Sequence, residues 1–358
     1  MSGRPGERGY QQGAALSAAF YADVVRPLIG TRPHSAALVG WGSDVLGYDT
    51  QRSTDHGWGP RLVVLLDGPA AIDPVERSLA TGLPDTFRSW PVRFGWDAVP
   101  VSHHVTVTTL PDWLVGHLGV DATAGMAVLD WLLTPQQRLL GVVSGQVYAD
   151  DSGALGAVRG VLAWYPDQVW RWLLACQWHR LAQEEAFVAR TAEAGDETGS
   201  AVIGGRLVRD VMRLALLLDR RYAPYQKWLG TAFAGGRHRD DLPRHLARAV
   251  HATDVTARET ALGLAYLALA RRHNEAGLTR PVSASVGDYY TRPARVLMSD
   301  RFTDACLATV SDPALRSLPL MGAVDQVIDN TDVLSAPERY RRLAGLYAYQ
   351  GVQPSALS

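Results

Sequence analysis

From Leu38 to Asp67 the chain reads LVGWGSDVLGYDTQRSTDHGWGPRLVVLLD, and the fold turns on this stretch. Two apolar runs of strand length, Ala36–Val39 and Leu62–Leu66, bracket it. Between them lies a loop dense in Gly, Ser, Asp and His. A glycine-rich loop between buried strands puts backbone N–H groups and short polar side chains at a strand end, where a polyanionic ligand can sit. Gly40, Gly42 and Gly47 allow tight turns and a close approach to such a ligand.

Outward from this hairpin, residues 1–12 are polar and glycine-rich and read as a flexible tail. Ala14–Ile29 carries apolar residues at helical spacing. Pro74–Thr81 reads as a short helix with Asp73 as its cap. Phe94 to Thr109 holds one or two further strands. The alternation predicts a small mixed α/β domain over 13–120.

Beyond it the strand signal fades, and 121–358 reads as a helical bundle domain, which makes the chain α+β. Helices are expected over Thr123–Leu133, Pro135–Ser144, Pro166–Ala194, Ser200–Arg221, Leu242–Ala252, Ala257–Asn274, Thr303–Val310 and Glu338–Tyr347. A turn is expected around Asp150–Gly153. Tyr222-Ala-Pro-Tyr ends one helix, because proline disfavours helix at the residue before it.

Composition excludes several classes. A chain of 358 residues with 47% hydrophobic and 20% charged residues is that of a globular protein. Its formal net charge of -1 gives no strong field for nucleic acid or membrane. Two cysteines, Cys176 and Cys306, in apolar helical surroundings indicate neither a disulfide framework nor a zinc site. The N-terminus lacks an apolar signal core and no run approaches about 20 apolar residues, so a cytoplasmic location is expected. Of 35 basic residues, Lys227 is the only lysine.

The hairpin resembles the nucleotidyltransferase superfamily, the polymerase-β-like fold. Ala36–Val39 matches the first strand, Gly42-Ser43 the Gly-Ser pair, Gly47 the later glycine, Ser53 the serine and Asp55 the first of two alternating acids. The second acid falls at Gly57, and the third, on the candidate strand His104–Thr109, falls at Thr106. More narrowly, the Ser53–Arg61 segment and Tyr222–Gly230 resemble a bacterial family of uncharacterised function, DUF4037. A small α/β domain followed by a bundle is similar to the aminoglycoside-type nucleotidyltransferases. The resemblance implies a nucleoside triphosphate or phosphorylated small molecule bound between the domains, with Mg²⁺ near Asp55. Asp44, Asp49 and Asp67 are the acids that could complete a metal site.

Two constellations, the 43–61 hairpin and the segment around Lys227, could carry chemistry. Asp55-His56 offers a carboxylate beside an imidazole, for a divalent ion or for acid/base work, or else a turn cap with His56 packed on Trp58. Arg61 either clamps a phosphate or carboxylate or forms an ion pair to an acid such as Asp49. Ser43 offers its hydroxyl and N–H to a phosphate, or bonds within its loop. In the Tyr222–Trp228 segment, Lys227 is expected among Tyr222, Tyr225 and Trp228, and its amine either reaches a ligand across the cleft or snorkels over its aromatic neighbours. His103 and His104 alternate across a strand and cannot easily share one metal ion. Arg237–Asp241 is a short mixed-charge loop, too balanced to indicate nucleic acid.

Three readings of function follow. In the first, a nucleotidyl group passes to a small-molecule hydroxyl or amine, with catalysis by positioning and charge stabilisation. In the second, favoured by the missing acids, the fold serves as a ligand sensor or a subunit in an assembly with a protein partner. Altered chemistry on another anionic leaving group, such as sulfate, is a third.

Overall fold

The computed structural model describes residues 9–236 and 240–348. Residues 1–8 of the expected tail and Arg237–Arg239 of the mixed-charge loop lie outside the described residues. The chain is α+β, and its described residues divide into two compact units, one of 9–126 and 137–163, the other of 127–136, 164–236 and 240–348.

The first unit opens with a continuous helical stretch. It runs as α1 (Gly13–Phe20), one π-helical turn over Tyr21–Val25, and α2 (Arg26–Ile29). Strand β1 (His34–Leu38) leads into the short helix α3 (Ser43–Leu46), and β2 (Arg61–Leu66) returns antiparallel to β1, pairing Ala36 with Val64. Helix α4 (Ile72–Gly82) begins before the expected Pro74, so Asp73 lies inside its first turn and Ala71 takes the cap position. The small pair β3 (Thr86–Phe87) and β4 (Trp90–Pro91) precedes β5 (Arg93–Trp96) and β6 (Val99–Thr109). Helix α5 (Leu110–Leu118) follows at once, its first turn capped by Thr109.

Strand β6 runs parallel to β2, with Arg61 beside His104 and Val63 beside Thr106. The fifth strand comes from sequence read as loop: after α6 (Val128–Leu133) and α7 (Gln136–Val143), β7 (Gln146–Asp150) pairs antiparallel with β1. The sheet order is β5-β6-β2-β1-β7. Every residue of β1 and β2 is buried, which is why Ala36–Val39 and Leu62–Leu66 read as unbroken apolar runs rather than alternating ones. Phe20, Val25 and Ile29 pack with Leu62, Val64, Val75, Leu79, Val105 and Val107 into one core. α8 (Ala154–Val161) completes the unit.

The second unit is built around α9 (Asp167–Glu184), which is buried from Val169 to Trp178 almost without interruption. A helix apolar on all sides belongs at the centre of a bundle. The expected single helix over 166–194 is two, α9 and α10 (Phe187–Glu193). The break falls at Glu185, whose buried carboxylate accepts from the N–H groups of Leu297 and Ser299 at 2.9 and 2.8 Å. α11 (Glu197–Leu218) is capped by Asp196. α11 and α15 (Asp300–Leu307) pack on the central helix, while α12 (Gln226–Ala234), α13 (Leu242–His251) and α14 (Val255–Glu275) pack on α11, with α13 also against α14. A hairpin of β8 (Gly287–Tyr289) and β9 (Arg292–Val296) interrupts them. Among the described residues no helix is long and apolar enough to cross a membrane. Cys176 and Cys306 are buried free thiols, and burial raises the pKa of both.

Candidate functional site

The hairpin loop is anchored at both ends. The Gly40 N–H donates to the carbonyl of Gly141 at 2.8 Å, tying the end of β1 to α7. At the other end Arg61, first residue of β2, turns back under the loop. Its Nε donates to Asp44 Oδ2 at 2.9 Å, and its Nη2 donates to Asp44 Oδ1 and to the Trp41 carbonyl, both at 2.6 Å. The pair is buried, with side chains 10% and 2% exposed. Gly42, at φ +119, makes it possible: a Cβ there would run into both the guanidinium and the carboxylate. Arg61 is therefore paired with Asp44 rather than with Asp49.

Asp49 is committed elsewhere. It accepts from the Gly13 N–H at 2.7 Å, from Trp58 Nε1 at 3.0 Å and from the Tyr10 hydroxyl at 3.1 Å. Tyr10 is thus held rather than loose, and burial together with the Asp49 charge pushes its pKa up to about 12. Asp67 follows the last residue of β2, at the strand end opposite Arg61, roughly 20 Å along the strand at ~3.3 Å per residue. None of the three acids expected to support Asp55 is free to do so on this end of the sheet.

Asp55 itself is exposed, with Arg52 Nε 3.4 Å from its carboxylate. His56 does not pack on Trp58; its Nδ1 lies 3.3 Å from Asp97 and its ring 5.8 Å from Trp96. Trp58 packs instead on Trp90 and Tyr10. Ser43 is half-buried in the first turn of α3. Thr106 is exposed beside Val63 and brings no carboxylate.

Resident Mg²⁺ does not fit this set. Mg²⁺ demands closely spaced oxygen donors in octahedral array. Among the described residues, no three His, Cys, Asp or Glu side chains gather as a group able to hold a metal ion.

Sequence reasoning missed an aromatic assembly on the same loop. Trp41, flanked by Gly40 and Gly42, lies with its ring centroid 4.9 Å from the Arg61 guanidinium carbon and 5.6 Å from the Trp96 ring. Trp96 also neighbours Phe94 at 6.1 Å and His104 at 5.0 Å. His104 bonds the Phe94 carbonyl at 2.8 Å, and burial lowers its pKa. Gly57, at φ +61, lies so close beneath Trp41 that a Cβ would come within 2.7 Å of the ring. The available signal was the recurrence of Trp at 41, 58 and 96 around a polar loop.

Lys227, Tyr225 and Trp228 form a group of their own on the second unit. Tyr225 caps α12 and its hydroxyl accepts from Trp228 Nε1 at 2.7 Å. Lys227 is exposed, with Nζ 5.0 Å from the Trp228 ring centroid.

No curated protein and no solved structure matches the chain. One family model does: residues 131–229, a span that includes Tyr225, Lys227 and Trp228 and stops short of the hairpin, match the family described as Domain of unknown function (DUF4037).

Proposed function

We propose that this chain is a nucleotidyltransferase-like ligand binder. It takes a nucleotide or another phosphorylated small molecule at the 40–61 hairpin without metal-dependent nucleotidyl transfer, and serves as a sensor or as a subunit of an assembly. The observation that carries this reading is at residue 57. Two-metal transfer needs carboxylates that share ions against the phosphate oxygens. The second acid of the resembled motif falls on Gly57, and the space a side chain would need there is filled by the Trp41 ring. An acid cannot be restored at 57 without moving Trp41, so the loop is rebuilt around an aromatic ring rather than merely lacking a residue.

The ligand side of the reading is supported by the Gly42-Ser43 entry to α3 and by β2 lying between antiparallel β1 and parallel β6. Backbone N–H groups and the Ser43 hydroxyl are the donors the loop offers to a phosphate. Thermal unfolding with ATP, CTP, GTP or UTP, each with and without Mg²⁺, tests binding. At least one nucleotide should raise Tm, by a stabilisation of about 2.7 kcal/mol at a hundred times Kd, and the rise should not depend on Mg²⁺. Incubation with radiolabelled triphosphate and hydroxyl or amine acceptors should give no transfer product. No Tm change with any nucleotide removes the binding reading. A Mg²⁺-dependent labelled product removes the non-catalytic one.

A further inference from the structure

We propose that Trp41 and Trp96 form a stacking platform for a flat heteroaromatic ring, that of a nucleobase, with the carboxylate of Asp97 taking N–H donors from the ring edge. This rests on the nucleotide reading above and names the part of the ligand that the hairpin recognises.

Trp41 is the only exposed one of the eleven tryptophans, at 49%. A large apolar ring left in water costs burial free energy, about 25 cal/mol for each Å² not covered. Here the ring is exposed yet fixed. The Arg61 guanidinium sits 4.9 Å from its centroid, and that guanidinium is itself locked by Asp44. The backbone of Gly57 presses on its edge, and Trp96 meets it at 5.6 Å with the ring planes 50° apart. A ring held in place before a ligand arrives gives up little rotamer entropy on binding.

The surroundings choose among aromatic, cationic and aliphatic ligands. A guanidinium stacked on one side of an indole weakens that ring's attraction for a second cation, so an organic cation is disfavoured on Trp41. A neutral π-system keeps its dispersion and quadrupole terms, and base–aromatic stacking is tolerant of base identity. The edge group is Asp97, in the tight turn between β5 and β6 at φ +44. Its carboxylate is 79% exposed and 3.3 Å from His56 Nδ1. A carboxylate only accepts hydrogen bonds, so it selects rings that present an exocyclic amino group, as guanine, adenine and cytosine do and uracil does not.

The test is a titration of the full-length protein, followed by tryptophan fluorescence and calorimetry. The probes are guanosine, uridine, GTP and inorganic tripolyphosphate, and the proteins are wild type, Trp41→Leu and Asp97→Asn. Trp41 is exposed, so Trp41→Leu leaves the core intact, and circular dichroism checks that it folds. The expected result is that guanosine and GTP both bind wild type and both weaken about tenfold in Trp41→Leu, in line with the stacking contribution of one base. Asp97→Asn should weaken guanosine more than it weakens uridine. GTP binding unchanged in Trp41→Leu overturns the platform and leaves the nucleotide reading standing. Tripolyphosphate binding without guanosine binding does the same. Guanosine binding with no gain from the phosphates upholds the platform and removes the phosphate part of the reading. Silence from all four probes overturns both.

Discussion

Arg61 and Asp44 are seventeen residues apart in sequence and share two hydrogen bonds in the interior of the loop. Breaking a buried pair by removing one partner strands the other charge, which typically costs 3–5 kcal/mol, roughly, whereas replacing both costs far less. Asp44→Asn is therefore expected to lower unfolding free energy by about 3 kcal/mol in urea titration, and Asp44→Asn with Arg61→Met to recover most of it. A loss below about 1 kcal/mol in the single variant would mean that the guanidinium finds solvent in place of Asp44. The sequence made Arg61 conspicuous, after Gly-Pro and before a buried strand, but could not choose its partner. Asp44 reaches Arg61 only because α3 begins immediately after Gly42, and Gly42 must leave room for both side chains. Gly57 gives the same lesson. The glycine was visible in the sequence, whereas the tryptophan ring that fills the space beside it, from sixteen residues upstream, was not.

At the level of elements, the strands that read as apolar runs were legible because burial on both faces leaves a continuous signal. β7 was not. Its residues, Gln146–Asp150, are exposed or half-buried, and it is an edge strand with no alternation to announce it. The packing of α5 on α7 was likewise hidden, because it depends on His117. That imidazole is buried and stacks flat on Trp113, with ring centroids 5.1 Å apart. Its Nε2 lies 3.0 Å from the Arg138 carbonyl and its Nδ1 3.4 Å from the Arg138 guanidinium. The geometry suits one neutral tautomer, donating from Nε2 and accepting at Nδ1. Burial, with Arg138 beside it, pulls the pKa down to about 3. The folded chain thus binds fewer protons at this site than the unfolded chain, whose imidazole titrates near 6.5. Stability from His117 is complete above pH 6.5 and is lost as pH falls from there toward 3, at about 1.4 kcal/mol per pH unit. Urea unfolding followed between pH 7.5 and 4.5 should show this slope, flattened by one histidine's share in His117→Gln. An unchanged slope would place the proton elsewhere, His273 being the other buried imidazole with a strongly lowered pKa.

For the molecule as a whole, the decisive feature is how the chain threads its two units. It leaves the first at residue 126, returns at 137 and leaves again at 163. A cut near residue 120, where the composition shifts from strand to helix, therefore separates β1 from β7 and Gly40 from Gly141. It exposes the edge of β1, all of whose side chains are buried, and an unpaired apolar strand is prone to aggregate. The second unit depends on the same crossing. The Gln136 side chain accepts from the Ala223 N–H at 2.9 Å, and the Gln136 N–H donates to the buried carboxylate of Asp325 at 3.2 Å. Trp131, Leu132 and Leu133 of α6 are buried there as well. A fragment of residues 9–120 is expected to lack a cooperative thermal transition and to aggregate, and a fragment of 164–348 to expose apolar surface and bind a hydrophobic dye. Coexpression of 9–163 with 164–348 should restore less than the full chain's stability, because α6 is then covalently joined to the wrong partner. Circular dichroism melts of the three preparations read this directly. A sharp transition in 9–120 alone would mean that the sheet is complete without its fifth strand, and that the first unit ends where the strand signal in the sequence does.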